Sequence, residues 1–534
     1  MSHVPSAHLD TFCRDSLPPK HMWPDLTCHD PALAYPAVLN LGEVLLEHSI
    51  SRHGADQPCL VAEDHSWSYA DVQRTASQLA ETLTDNLGVI PGNRVMIFGP
   101  NDPWFAMIWL AVLRAGAVAV PVSPQLTGPE LTKQQTATQA NLLIIASDLH
   151  AERSEALPDI ATTSYGSSSD SDLLTLAATK QGTRDAVATA ADDVALLVST
   201  SGTTGTPKVT AHFHRDLLYI ADAWSNRVFR TQRTDIFAGT PHLSFTYGLC
   251  SRLVIPLRHG ASTVLANEVT THQMLASIEQ HQATICISSP TAFRAIASMH
   301  SQDQLNSVRV AVSSSEALPQ STWQAFHDKT GLEIMDALGT TECTSTFATS
   351  APGEVKPGSV GKPLPAYSIA ILDDDGDTVP SGTYGWLAVQ GPTGCRYLND
   401  DRQEKYVRNR WNITGDVFRY DEDGYLWYRG RGDDLINTGG YKFYPAEVEN
   451  VILQSPLIRE CVVTGIQLAG TNVVSAVIVL ADGISDETAT AASIRHFLSD
   501  RISPYKIPRK ITFVDNIPRT ITGKLRRTPQ SAID

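Results

Sequence analysis

The run Ser199-Thr-Ser-Gly-Thr-Thr-Gly-Thr-Pro-Lys208 gathers hydroxyls, two glycines and a lysine into one short stretch. Small residues let successive backbone N–H groups turn toward one point. The hydroxyls add donors and Lys208 adds a positive charge, a set that suits a polyphosphate. It is not a Walker loop, because Gly205 is followed by Thr-Pro-Lys where that motif requires Lys and Ser or Thr. The alternative is an ordinary Ser/Gly connection, for which this many donors beside a lysine is unusual chemistry.

The elements around the run are those that must aim it. A fully apolar strand, 194–198, leads into it, and a predicted helix from His214 follows. Upstream, helical spacing over 41–51 and 70–87 and a β-rich run at 93–98 precede a helix at 104–115. Strands at 117–122 and 142–146 come next. This alternation predicts parallel βαβ units. Between 146 and 193 the pattern weakens into polar, turn-rich sequence, read as a surface insertion unable to fill a core. Strands resume at 262–266, 284–288 and 308–312. After Ser368 they become short and turn-separated (369–372, 385–389, 425–428), predicting a small β-rich subdomain. Beyond Asp433, helices at 445–454 and 491–502 flank strands at 460–466 and 473–480, a compact α+β unit.

At 534 residues the chain is long enough for about three folding units. Forty-one Lys+Arg against fifty-seven Asp+Glu give a net charge of −16, which argues against nucleic-acid binding. The longest apolar run, 104–122, is interrupted by Arg114 and predicts a buried helix and strand, not a membrane span. Residues 1–17 contain no apolar signal-peptide core. Eight cysteines without a C-x-x-C pair predict reduced thiols, a cytoplasmic setting, and no disulfide frame or zinc site.

With its Ser/Thr/Gly loop ending in Pro207-Lys208, Gly339-Thr-Thr-Glu342, Thr414-Gly-Asp416, Tyr428-Arg-Gly-Arg431-Gly-Asp433 and Pro518-Arg-Thr-Ile-Thr-Gly-Lys524, the chain resembles the adenylate-forming superfamily. That superfamily holds acyl-CoA synthetases, firefly luciferase and nonribosomal adenylation domains, and the motifs stand in its order over almost the whole length. The resemblance implies that a carboxylate attacks the α-phosphorus of ATP, releasing pyrophosphate, and that a thiol then displaces AMP. Bringing two anions together demands cations at the transition state and little covalent help from protein. It also implies an α/β fold: a large N-terminal domain, 1–432, of stacked α/β sheets plus the β-rich subdomain, and a small mobile α+β domain, 433–534. Asp433 is the hinge.

Residue by residue, the resemblance makes Glu342 the Mg²⁺ ligand and has Thr341 bond a phosphate. Thr200, Ser201, Gly202, Thr203, Thr204, Gly205 and Lys208 hold the β and γ groups. Glu316, Ala317, Asp336, Ala337, Leu338, Gly339 and Thr340 lie along the nucleotide, with Leu338 where many members stack an aromatic ring. Asp416 accepts the two ribose hydroxyls, one carboxylate meeting two donors. Arg431 reaches the ribose or α-phosphate, and Lys524 reaches the carboxylate and α-phosphate. Gly439 and Gly440 border the pantetheine tunnel, with Asn437 where many members carry lysine.

The acyl pocket falls on Phe245, Thr246, Tyr247, Ser314, Gly339, Ser345 and Thr346. The surrounding sequence and the N-terminal segment are most similar to benzoate-CoA and 2-aminobenzoate-CoA ligases. Hydroxyls at 313–315 and 344–346 either bond the backbone or serve a ring amino or hydroxyl group or a short polar acid. Arg252 meets a second carboxylate or is a surface or interdomain charge. The expectation is therefore an enzyme, an AMP-forming acid-CoA ligase for an aromatic acid, using ATP, Mg²⁺ and CoA, monomeric or homodimeric. The alternatives are an adenylation enzyme that loads a carrier protein and a non-catalytic nucleotide-binding homologue.

Overall fold

The computed structural model describes residues 4–28, 30–153, 156, 157, 159–200, 207–267, 270–299, 303–438, 440–468, 471–481, 483, 484, 486–519 and 525–527. Two large sheets face each other across a shared helical layer. The first has six strands in the order Ala161–Tyr165, Leu142–Ala146, Arg94–Phe98, Val118–Val122, Val194–Thr200, Lys208–Phe213, parallel except for the last pair. The second has nine, and its central strands, Ile334–Gly339, Val310–Ser313, Ile285–Ser288, Ile236–Gly239 and Ser262–Val264, are also parallel. Antiparallel strands close both of its margins.

Between the sheets runs Pro103–Arg114, in which every residue but Trp104 is buried. A helix apolar on all sides belongs inside a layered core. Asp102 starts it, accepting from Phe105 N at 2.7 Å, with Pro103 at the first helical position. The neighbouring helix Tyr69–Asp85 begins with a reciprocal capping box, Ser68 with Asp71. One hydrophobic core joins these helices to strands of both sheets. All eight cysteines are free thiols and seven are buried, small hydrophobes in these cores.

A third, antiparallel sheet is built from Ser368–Leu372, Gly385–Gln390, Val407–Arg408, Trp411–Tyr420 and Leu426–Arg431. The last unit pairs Ile458–Leu468, Thr471–Leu480 and Lys510–Phe513 under the helices Pro445–Ile452 and Glu487–Ser499, around its own core. The expected α/β architecture with a large N-terminal and a small α+β C-terminal domain is what the chain forms. Among the described residues no helix is long and apolar enough to cross a membrane.

One expectation is corrected. The segment after Ala146 is not a surface insertion: Ala161–Tyr165 adds a parallel strand to the six-stranded sheet, and Tyr165, Leu173 and Ala177 enter the main core. Its polar alternation, Ala-Thr-Thr-Ser-Tyr, is that of an edge strand. The helix expected from His214 forms as His214–Trp224, and the strand Lys208–Phe213 before it pairs antiparallel with Val194–Thr200, so the Ser/Thr/Gly run joins two strands of one hairpin.

Candidate active site

Lys208 opens the last strand of the six-stranded sheet, opposite Thr200. Ser201, Gly202, Thr203, Thr204 and Gly205 lie outside the described residues. The free edge of that strand is covered by the segment around Tyr397. Thr210 bridges Tyr397, and Leu398 N donates to Val209 O at 2.9 Å. Extended chain sends successive side chains to opposite faces, and here that separates two functions. Arg396 pairs with the Asp216 carboxylate, wholly buried, with its guanidinium 3.8 Å from the Phe213 ring centroid. Tyr397 turns the other way. Its ring centroid lies 5.2 Å from Lys208 Nζ, and its hydroxyl donates to Glu342 Oε1 at 2.5 Å. Burial, then the Glu342 carboxylate, raise the phenol above its ordinary range, so it stays a donor.

Glu342 sits in the turn after Ile334–Gly339. The turn is held by Thr340, whose hydroxyl meets Tyr406 at 3.1 Å and accepts from Cys343 N at 3.2 Å. Thr344 takes a left-handed φ of +72° and meets His212 Nδ1 at 3.0 Å. Burial, with Arg396 adding to it, lowers His212 to about 3 and keeps the ring neutral. Gly339 is required by close approach: a Cβ there would lie 2.2 Å from Ser345 O.

On the opposite wall, Asp416 and Arg431 are register partners in the antiparallel sheet. Arg431 Nη1 donates to Asp416 Oδ1 at 3.2 Å and to Thr414 O at 3.1 Å, and its Nε donates to Asp433 Oδ1 at 3.4 Å. Burial alone would lower this guanidinium; the Asp416 and Asp433 carboxylates override it and raise it. Asp336 is buried, accepts weakly from Leu318 N at 3.4 Å, and is pushed by burial to about 7. Ser314 donates to Ala337 O at 2.6 Å.

Lys208, Tyr397, Tyr406, Glu342, Asp336, Ser314, Asp416 and Arg431 line one cleft of about 2120 Å³ between the large body and the C-terminal unit, with Thr200, Glu316, Ala317, Leu338, Gly339, Thr340, Thr341 and Asp433 also on its walls. Phe245 and Ser314 reach it. Thr246, Ser345 and Thr346 are buried and are not on its wall. Tyr247, stacked on Trp224 at 6.1 Å, reaches Ser288 O and Val312 O only at 3.4 Å. Of the hydroxyl-rich set, Ser314 bonds backbone, whereas Ser313 Oγ is buried without a hydrogen-bond partner among the described residues. Ser345 faces the Cys250 thiol.

Arg252 is neither a surface nor an interdomain charge, and among the described residues no carboxylate meets it. It is fully buried, donates to Pro241 O at 2.7 Å and Val264 O at 2.8 Å, and is lowered by burial to about 10. The Glu316 carboxylate faces the C-terminal unit, accepting from Leu525 N at 3.1 Å. Lys524 and Gly439 lie outside the described residues. Gly440 has a φ of +85° with open space around it.

Sequence reasoning missed Tyr397, Tyr406 and the Arg396–Asp216 pair. Tyr397 meets Glu342 from 55 positions away, and Arg396 meets Asp216 from 180. No local periodicity signals such contacts. The one available cue was an arginine beside a tyrosine in an otherwise small and apolar run.

The family model "AMP-binding enzyme" matches residues 46–396, and "AMP-binding enzyme C-terminal domain" matches 447–524. The benzoate–CoA ligase of Thauera aromatica is 26% identical, with 93% of this chain and 96% of that protein covered. The 3-hydroxybenzoate–CoA ligase of Aromatoleum sp. is 28% identical, covering 92% and 96%. The crystal structure of the anthranilate CoA ligase AuaEII in complex with anthranoyl-AMP superposes with a TM-score of 0.86 at 29% identity, covering 92% of this chain and 96% of that one. The chain belongs to the AMP-binding enzyme family.

Proposed function

We propose that this member of the AMP-binding enzyme family joins an aromatic carboxylic acid to CoA, with ATP, through an acyl-adenylate. The observation that carries the reading is the convergence of Lys208, Glu342, Asp416 and Arg431 on one cleft. That convergence gives cations and a carboxylate for the phosphates and a carboxylate–guanidinium pair for the ribose. Its similarity to aryl–CoA ligases along nearly the whole chain supports the acid class.

In this reading Lys208 and the hydroxyl run hold the β and γ phosphates, with Thr341 donating beside them. Asp416 takes the ribose diol while Arg431 stays fixed against it. Asp336, Ala337 and Leu338 flank the base, and Leu338 offers apolar contact without stacking. Among the described residues no group of three or more His, Cys, Asp or Glu could hold a metal alone. Glu342 fits a Mg²⁺ shared with phosphate oxygens, and that ion would neutralise charge on the triphosphate. Tyr397 orients the Glu342 carboxylate. Lys524 supplies the mobile charge at the reacting carboxylate. Residues 433–534 turn at Asp433 after adenylation, and Gly440 then admits the pantetheine arm.

The similarity to proteins named for ring-substituted acids, 3-hydroxybenzoate and anthranilate, supports an acid whose ring carries an amino or hydroxyl group. The test is acid-dependent pyrophosphate exchange and acyl-CoA formation across benzoate, 2-aminobenzoate and 3-hydroxybenzoate. The reading expects both activities, strongest with a substituted ring. Exchange without CoA turnover would instead indicate a carrier-protein acceptor, as the p-hydroxybenzoic acid–AMP ligase of Mycobacterium marinum, 29% identical, makes worth testing.

A further inference from the structure

Glu316 stands where a nucleotide contact was expected, yet its carboxylate is engaged by the C-terminal unit. Leu525 N donates to Glu316 Oε1 at 3.1 Å, and Arg519 Nη1 lies 3.6 Å from the same oxygen. Arg519 and Leu525 also pair with each other across an isolated antiparallel bridge. Arg519 is steadied from its own side by Glu460 at 2.8 Å. One carboxylate of the large domain therefore grips both residues that flank 520–524, the stretch containing Lys524. Immediately before it, Ser315 takes a left-handed φ of +78°, a conformation uncommon for a non-glycine residue.

We propose that Glu316 and Arg519 form a latch that selects the adenylating arrangement of the C-terminal domain. Glu316 is a positioning residue, acting through the segment it holds. The inference rests on the two-step reading above, in which Lys524 serves adenylation and the domain then turns at Asp433. Both latch side chains are partly exposed, at 19% for Glu316 and 31% for Arg519. A charge contact open to water is weak enough to release in each turnover. When the domain turns, the contact must break, so its loss should weigh on the first half-reaction only. Rotation is a population shift between two arrangements, and the latch biases one of them.

The test uses the full chain with Glu316→Gln, Arg519→Gln, the double variant, and Glu487→Gln, exposed at the start of the helix Glu487–Ser499, as a control that leaves the interdomain contact in place. Aryl-acid-dependent pyrophosphate exchange should fall about 10-fold in either single variant and no further in the double. Conversion of chemically prepared aryl-adenylate to acyl-CoA should hold or rise, and Glu487→Gln should leave the ratio of the two activities unchanged. Equal losses in both half-reactions, or additive losses in the double variant, overturn the latch. Tryptic cleavage within 519–527 provides a readout independent of turnover. It should accelerate about 10-fold in Glu316→Gln relative to the parent. Unchanged cleavage overturns the latch whatever the activities. Absence of exchange in the parent protein, with cleavage accelerated as expected, overturns the adenylation reading and leaves Glu316 a docking contact only.

Discussion

At the end of the cleft proposed to hold the phosphates, the side chains around Glu342 are tied to one another. Tyr397 donates to the carboxylate, Tyr406 meets Thr340, and His212 meets Thr344, with the Arg396–Asp216 pair buried behind them. At the proposed acyl end, Ser313 Oγ is buried without a hydrogen-bond partner among the described residues, Ser345 faces only the Cys250 thiol, and Tyr247 makes only long contacts. In the proposed reaction the phosphate end performs the same chemistry whatever the acid, so its charges would gain from being fixed before substrate arrives. The proposed acyl end would have to tell one acid from another, and differences there would change which acid is used without touching the phosphate chemistry.

The largest effect expected on this comparison is on stability. Asp216→Ala would leave Arg396 charged and buried, destabilising the fold by about 3–5 kcal/mol in urea unfolding. A loss below about 1 kcal/mol would break the claim that the phosphate end rests on a fixed charge pair.

Asp336 lies where the two ends meet, and it titrates in the folded state at about 7. A carboxyl raised above its unfolded value binds more protons folded than unfolded, so its contribution is favourable at low pH. Stability should decline as pH rises from near 4 toward 7, by at most about 4 kcal/mol from this group. Urea midpoints at pH 5 and pH 8 should differ less in Asp336→Asn than in the parent. An identical pH dependence in both would show that water reaches this carboxyl.

Tyr397→Phe removes one hydrogen bond to a charged group. Acid-dependent pyrophosphate exchange should fall about 10-fold, with the KM for the acid unchanged. A change confined to the acid KM would erase the division between the ends. The smallest effect belongs to Ser345→Ala. Removing a buried hydroxyl that faces only the Cys250 thiol, behind the cleft wall, should alter stability by about 1 kcal/mol or less. Turnover of benzoate, 2-aminobenzoate and 3-hydroxybenzoate should stay within about 2-fold of the parent. A loss confined to the substituted acids would place Ser345 against the ring.

Much of this architecture was legible from the chain. The buried strand before the Ser/Thr/Gly run, the apolar helix Pro103–Arg114 and the strand–helix alternation each follow from periodicity strong enough to survive tertiary context. Asp416 and Arg431 were picked out separately by motif, and their register pairing unites them in one sheet. Other features were harder to read. Lys208–Phe213 carries the apolar–polar alternation of a strand and went unread, and that alternation predicts one wet face where Thr210 and His212 are in fact buried. The edge strand Ala161–Tyr165 looked like loop because one of its faces is polar. Tyr397 and Arg396 acquire their roles only when a distant segment covers the edge of Lys208–Phe213. Arg252 looked available for a ligand because nothing in sequence showed two backbone carbonyls holding it inside the core.

The central claim is that the acid's own oxygen attacks the α-phosphorus. It is tested most directly by supplying an aryl acid labelled with oxygen-18 in both carboxylate positions, with ATP and CoA, and weighing the AMP released. Attack by the carboxylate predicts one label carried into AMP for each acyl-CoA formed. Unlabelled AMP, or release of ADP in its place, would contradict the acyl-adenylate.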